Sequence, residues 1–136
     1  MSEETQEIMN EDTTEYLDGF VFAIHRKYLA EYKRVAQQVA AIWKEHGALS
    51  YSEFVGDEMS LTGTRSFMDM ADVQDDEVVI IGWASFQSKE VRDSANQKVR
   101  KDPRMAQLVA PLMNPERMIF DASRMFFGGF RALVQS

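Results

Sequence analysis

The chain has 136 residues and a mass of 15.6 kDa, enough for one domain with a hydrophobic core and too short for two. Hydrophobic residues make up 45% and charged residues 27%, a soluble globular balance, and the lack of cysteine excludes disulfides and thiolate chemistry. The net charge of -7 weighs against a nucleic-acid binder, since contacts to phosphate supply most non-specific affinity.

Residues 1–14 are acidic and carry no apolar run behind a basic start. They read as an extension with no targeting signal, ahead of a single domain over 15–136. No stretch approaches the roughly 18 apolar residues of a membrane-spanning helix, so a cytoplasmic protein without membrane contact is expected.

"YLDGFVFAIH" (Tyr16–His25) is rich in aromatic and β-branched residues and predicts a strand. From Lys27 the period changes. Tyr28, Leu29, Tyr32, Val35, Ala36, Val39, Ile42 and Trp43 form one stripe of an amphipathic helix, which Gly47 closes. "ALSYSEFVG" predicts a second strand. Residues 57–77 form a long acidic connection with room for a short helix or hairpin. "EVVIIGWASFQ" predicts the third strand, and Ser88 is a suitable N-cap for a helix over "KEVRDSANQKVRKD". Asp102–Pro103 ends that helix. An irregular apolar connection follows, with a helical turn near Met105–Val109. "RMFFGGFRALV" (Arg124–Val134) supplies the fourth strand.

The order β-α-β-β-α-β is the ferredoxin-like pattern: an α+β fold with an antiparallel four-stranded sheet and two helices on one face. The strands are apolar on both sides, with Phe20, Phe22 and Ile24 opposed to Leu17, Val21 and Ala23 in the first of them. A sheet with one wet face alternates apolar and polar residues instead. A homodimer through sheet packing accounts for the second apolar face. The competing account folds the 57–77 or 104–123 connection over it.

"YLDGFVFAI", "WKEHGAL", "VVIIGWASFQSKEVRD", "KDPRM" and "RMIFDASRMFFGGF" together resemble the YbaA-like domain-of-unknown-function family of small bacterial proteins. The resemblance covers about residues 15–134. It implies a dimeric α+β barrel and assigns no reaction.

Five residues are candidates for a ligand site. His46, in the last helical turn, is the best-placed imidazole, yet a histidine there also satisfies the carbonyl end of a helix. Tyr32 lies on the apolar stripe and Trp83 in mid-strand, where core packing competes with a pocket-wall role. Asp121 and Arg124 are read either as a pair shaping the entry to the last strand or as an anion clamp. No nucleophile–base–acid trio is evident, so catalytic residues stay unassigned. Two distant histidines without cysteine give no metal spacing, and neither metal nor cofactor is expected. The functional expectation is a small aromatic or acidic organic ligand between sheet and helices. Two alternatives remain: an interaction subunit using the acidic tail and the 57–77 loop, and a cofactor-free oxygenase or isomerase by analogy of fold.

Overall fold

A computed structural model describes residues 2–3 and 14–136, so most of the acidic extension lies outside the described residues. The strands are β1 (Tyr16–His25), β2 (Ser50–Val55), β3 (Glu77–Phe86) and β4 (Phe126–Arg131). The helices are α1 (Leu29–Glu45), α2 (Phe67–Met70), α3 (Lys89–Lys101) and α4 (Pro103–Val109). The sheet runs β2-β3-β1-β4 with every neighbouring pair antiparallel, the ferredoxin-like order.

Local chemistry sets the helix ends. At the end of α1 the amide of Ala48 donates to the carbonyl of Trp43 at 3.0 Å, and that of Gly47 to Lys44 at 3.3 Å. Gly47 makes this reversal with φ of +127°, a conformation side chains rarely adopt. Ser88 Oγ accepts from the Val91 amide at 3.2 Å and caps α3, as its sequence position predicts. Asp102 does more than stop α3. Its carboxylate accepts from the Arg104 amide at 3.0 Å, and Pro103 takes the first helical position, so α4 starts at once. The connection is therefore helical from Pro103 to Met113, extending the turn expected near Met105–Val109, because the residues that end one helix are suited to begin the next. Residues 114–121 are irregular, as expected.

Alternation along the strands sorts the sheet into two faces. Toward the helices point Phe20, Phe22 and Ile24 of β1, Ile80, Ala84 and Phe86 of β3, and Tyr51 and Glu53 of β2. One cluster gathers Phe86, Ala84, Ala48 and Ala95 under Trp43; the other gathers Phe22, Ile24 and Ile80 under Leu29 and Tyr32. The 104–123 connection packs on this same side. Leu112 and Ile119 are buried, and Phe120 meets Phe22 edge-on at 5.0 Å between ring centres.

The other face carries Val21, Ile81, Trp83, Phe126 and Phe130. Part of the 57–77 connection borders it: α2 is fixed by a capping box between Ser66 and Asp69, and its Phe67 and Met70 line a groove with Val21 and Ile81. The face is not closed. Phe54, Phe126 and Phe130 stay 56%, 46% and 57% exposed.

Candidate functional site

The cleft between sheet and helices is organised around Glu53. Period-two alternation in β2 turns Tyr51, Glu53 and Val55 to the helix side, and the pairing sets Glu53 opposite Gly82 of β3, which in turn pairs with Phe20. A Cβ on Gly82 would sit 2.6 Å from the Phe20 ring and 2.8 Å from Glu53 Cγ. The missing side chain is the space those two side chains use.

Tyr32, from the apolar stripe of α1, donates its hydroxyl to Glu53 Oε1, and Tyr51 donates to Oε2 at 2.9 Å. Among the described residues no cation forms an ion pair with this carboxylate. Burial pushes its pKa up, against the opposing pull of the two phenol hydrogen bonds. Both phenols are pushed far above the ordinary tyrosine value, first by burial and then by the neighbouring negative charge, so they act as neutral donors.

Two cavities of ≈ 460 and ≈ 280 Å³ meet here, sharing Tyr32, Ala36, Tyr51 and Glu53 in their walls. The first continues along Leu29, Ala40 and Ile80; the second along Phe22, Val39 and Phe120. The second also reaches Asp18 and Asn96. Asp18 is buried on the helix-facing side of β1, 3.2 Å from Arg92 Nη1 of α3. Burial raises the Asp18 pKa and outweighs the attraction of Arg92. Arg92 lies over the Tyr16 ring at 4.7 Å and donates to its hydroxyl at 3.3 Å.

The half-buried carboxyl of Glu53 gives stability a pH dependence whose sign is fixed. Its folded pKa lies above the ordinary 4.5, so its contribution is complete below that value and is lost as pH rises through the folded one. Glu53→Gln removes the titration. Urea denaturation between pH about 4.5 and about 8 is expected to show wild type losing ground to the variant as pH rises. A stability difference that stays constant with pH contradicts this.

Of the five residues singled out from sequence, Tyr32 lines the cleft. His46 instead places Nε2 2.8 Å from Asp102 Oδ2 and ties the end of α1 to the α3–α4 junction. Glu45, His46 and Asp102 offer ligand atoms within 4.8 Å of one another, but the Arg104 guanidinium lies among them, 2.5 Å from Glu45 and 2.6 Å from Asp102. Trp83 points to the other face and stacks on Phe54 at 5.3 Å. Asp121 caps the turn Ala122–Arg124 through the Ser123 amide at 3.0 Å. Arg124 does not form the expected side-chain pair with Asp121. It clamps Glu77 at 2.7 and 2.8 Å and donates to the Asp72 carbonyl at 3.1 Å. Glu53, Tyr51 and Asp18 were not anticipated. The signal for Glu53 and Asp18 is an acid at the helix-facing parity of its strand, a placement tolerated only with specific partners.

Fold and site together define a ferredoxin-like α+β domain with a carboxylate-centred cleft between sheet and helices. The chain belongs to the DUF1428 family, described as proteins of unknown function, whose model matches residues 15–122. It is 35% identical over 119 residues to the uncharacterized protein YbaA of Escherichia coli K12, covering 88% of this chain and 97% of that one. SnoaB from Streptomyces nogalater, a cofactor-independent oxygenase solved as a point mutant, shares the fold. Its TM-score is 0.55 at 16% identity, over 90% of this chain and 96% of that one. A NIPSNAP-like domain protein from Burkholderia xenovorans gives 0.57 at 12% identity, over 91% and 90% of the two chains. No helix among the described residues is long and apolar enough to cross a membrane.

Proposed function

We propose that the protein binds a small aromatic molecule in the sheet–helix cleft, with a ligand hydroxyl donating to Glu53 or a ligand carbonyl accepting from Tyr32 and Tyr51. The observation that carries this is a half-buried carboxylate, hydrogen-bonded among the described residues to two phenols, in the wall shared by two mostly apolar cavities. Such a site, with apolar walls and a few convergent polar groups, suits a fused-ring ligand. Of the aromatic and acidic ligands expected from sequence, the neutral aromatic is favoured. Glu53 and Asp18 both face the cleft, and an anionic ligand would meet two carboxylates against the single cation, Lys33, among the described residues of the two cavity walls. The test is calorimetric titration with 2-naphthol and with 2-naphthoate. The phenol is expected to bind and the carboxylate to bind at least about tenfold more weakly, about 1.4 kcal/mol. Ala36→Phe, which fills the shared wall, is expected to abolish binding. Equal affinity for both compounds, or binding unaffected by Ala36→Phe, overturns the reading.

The second sheet face supports a homodimer packed sheet to sheet. Phe126 and Phe130 lie there exposed along an apolar groove, with the exposed Phe54 stacked on Trp83 of its wall, and such a patch is covered at the lowest cost by a second copy. Light scattering at micromolar concentration is expected to give twice the chain mass of 15.6 kDa. Phe126→Glu should return the monomer. A monomeric wild type contradicts the dimer.

A further inference from the structure

Glu53 differs from three other paired acids of the structure. Glu31, Glu77 and Asp102 each sit against an arginine, which holds their pKa below the ordinary value. Glu53 is held by the hydroxyls of Tyr32 and Tyr51, in the middle of the cleft, with cavity on both sides. A carboxylate oxygen offers about two acceptor positions, so one hydrogen bond on each oxygen leaves room for an incoming proton. The two phenols are fixed as neutral donors. Once Glu53 is protonated its demand for them falls, and the same hydroxyls are free to turn to an oxyanion forming beside them.

We propose that Glu53 is a catalytic base that removes a proton from the carbon next to the carbonyl of a bound aromatic-fused cyclic ketone, with Tyr32 and Tyr51 donating to the enolate oxygen. This rests on the aromatic-binding reading of the same cleft. The C–H bond breaks and its proton passes to a Glu53 oxygen. The bonding pair becomes the enolate C=C as the carbonyl π pair moves onto oxygen. Return of the proton, to the same carbon or to a conjugated one, regenerates the carboxylate and releases the ketone or its double-bond isomer. No electron is lost or gained and no co-reactant is consumed. The raised pKa of Glu53 suits this task, because a carboxylate in the ordinary range is a weaker base.

The test uses the full chain and 2-tetralone, whose exchangeable protons lie between a carbonyl and a fused aromatic ring. Binding is read by saturation-transfer NMR with 2-naphthol as competitor, and proton removal by deuterium uptake in D2O. Wild type is expected to accelerate uptake about 100-fold or more over the same concentration of acetate. Glu53→Gln should keep binding and lose the acceleration. In wild type the rate should rise with pH as Glu53 ionises. Tyr51→Phe removes a hydrogen bond that favours the charged carboxylate, so the midpoint of that rise should move to higher pH. A role confined to packing would leave the midpoint in place. Binding without acceleration, or acceleration surviving Glu53→Gln, overturns the base and leaves the binding reading standing. Failure of both 2-tetralone and 2-naphthol to bind overturns both.

Discussion

Phe86→Ala is expected to destabilise the fold by about 3–5 kcal/mol, a large part of the roughly 5–15 kcal/mol that holds a domain together. Phe86 is 0% exposed. It packs edge-on against Trp43 of α1, with ring centres 6.1 Å apart, and its buried neighbours are Ala48, Ala84 and Ala95. Three alanines on the rigid backbones of a turn, a strand and a helix cannot swell into the space a lost ring leaves. The cavity therefore persists, and its cost adds to the lost transfer energy. The residue also joins both helices to β3, so its removal should loosen the end of the cleft where Asp18 meets Arg92. Guanidinium denaturation reads the effect. Leu133→Ala, at a mostly exposed position, should change stability by less than about 0.5 kcal/mol. A loss below about 1 kcal/mol at Phe86 contradicts this picture of the core.

Asp18→Ala is expected to cost about 3 kcal/mol, at the lower end of the range for breaking a buried ion pair. The reason is less the strength of the pair than what remains without it. Burial already outweighs Coulomb attraction at Asp18, so the intact pair adds little net stability. Truncation leaves Arg92 mostly buried and charged, its ion pair to β1 gone and only Tyr16 and the exposed Asp93 carboxylate, 2.9 Å from Nε, as partners. Two controls follow from that reasoning. Asp18→Asn keeps an acceptor and should lose less. Asp18→Leu combined with Arg92→Met should cost less than Asp18→Ala alone, because no buried charge is left. A double variant less stable than Asp18→Ala would show that the attraction itself is what matters there.

The sheet, both long helices and their ends were legible in the sequence because each depends on local signals. The three- and four-residue spacing from Tyr28 to Trp43, Ser88 ahead of a helix and Gly47 behind one act within a few residues of themselves. The apolar character of both sheet faces was legible too, and the structure leaves Phe54, Phe126 and Phe130 uncovered on one of them. The site was much less legible. Tyr32 could be placed because the helix stripe gives its direction. His46 and Arg124 drew attention as chemically versatile side chains, yet their partners, Asp102 and Glu77, lie 56 and 47 residues away in sequence. No local pattern announces such pairings. Glu53 was overlooked because "SYSEFV" has the composition of a polar edge strand. Its alternation nevertheless puts Tyr51, Glu53 and Val55 on one side, and an acid on the apolar side of a strand marks a buried charge. Asp18 in "YLDGFVFAIH" carries the same signal by the same parity.

The measurement that bears most directly on the cleft is an NMR titration of the full chain with 2-naphthol, following the ring resonances of Tyr32, Tyr51 and Trp83 and the methyl of Ala36. Saturable shifts at Tyr32, Tyr51 and Ala36, with Trp83 unmoved on the opposite face and the response lost in Ala36→Phe, are the predicted result. Saturable shifts confined to Trp83, or none at the two tyrosines up to millimolar ligand, would contradict a binding site built around Glu53.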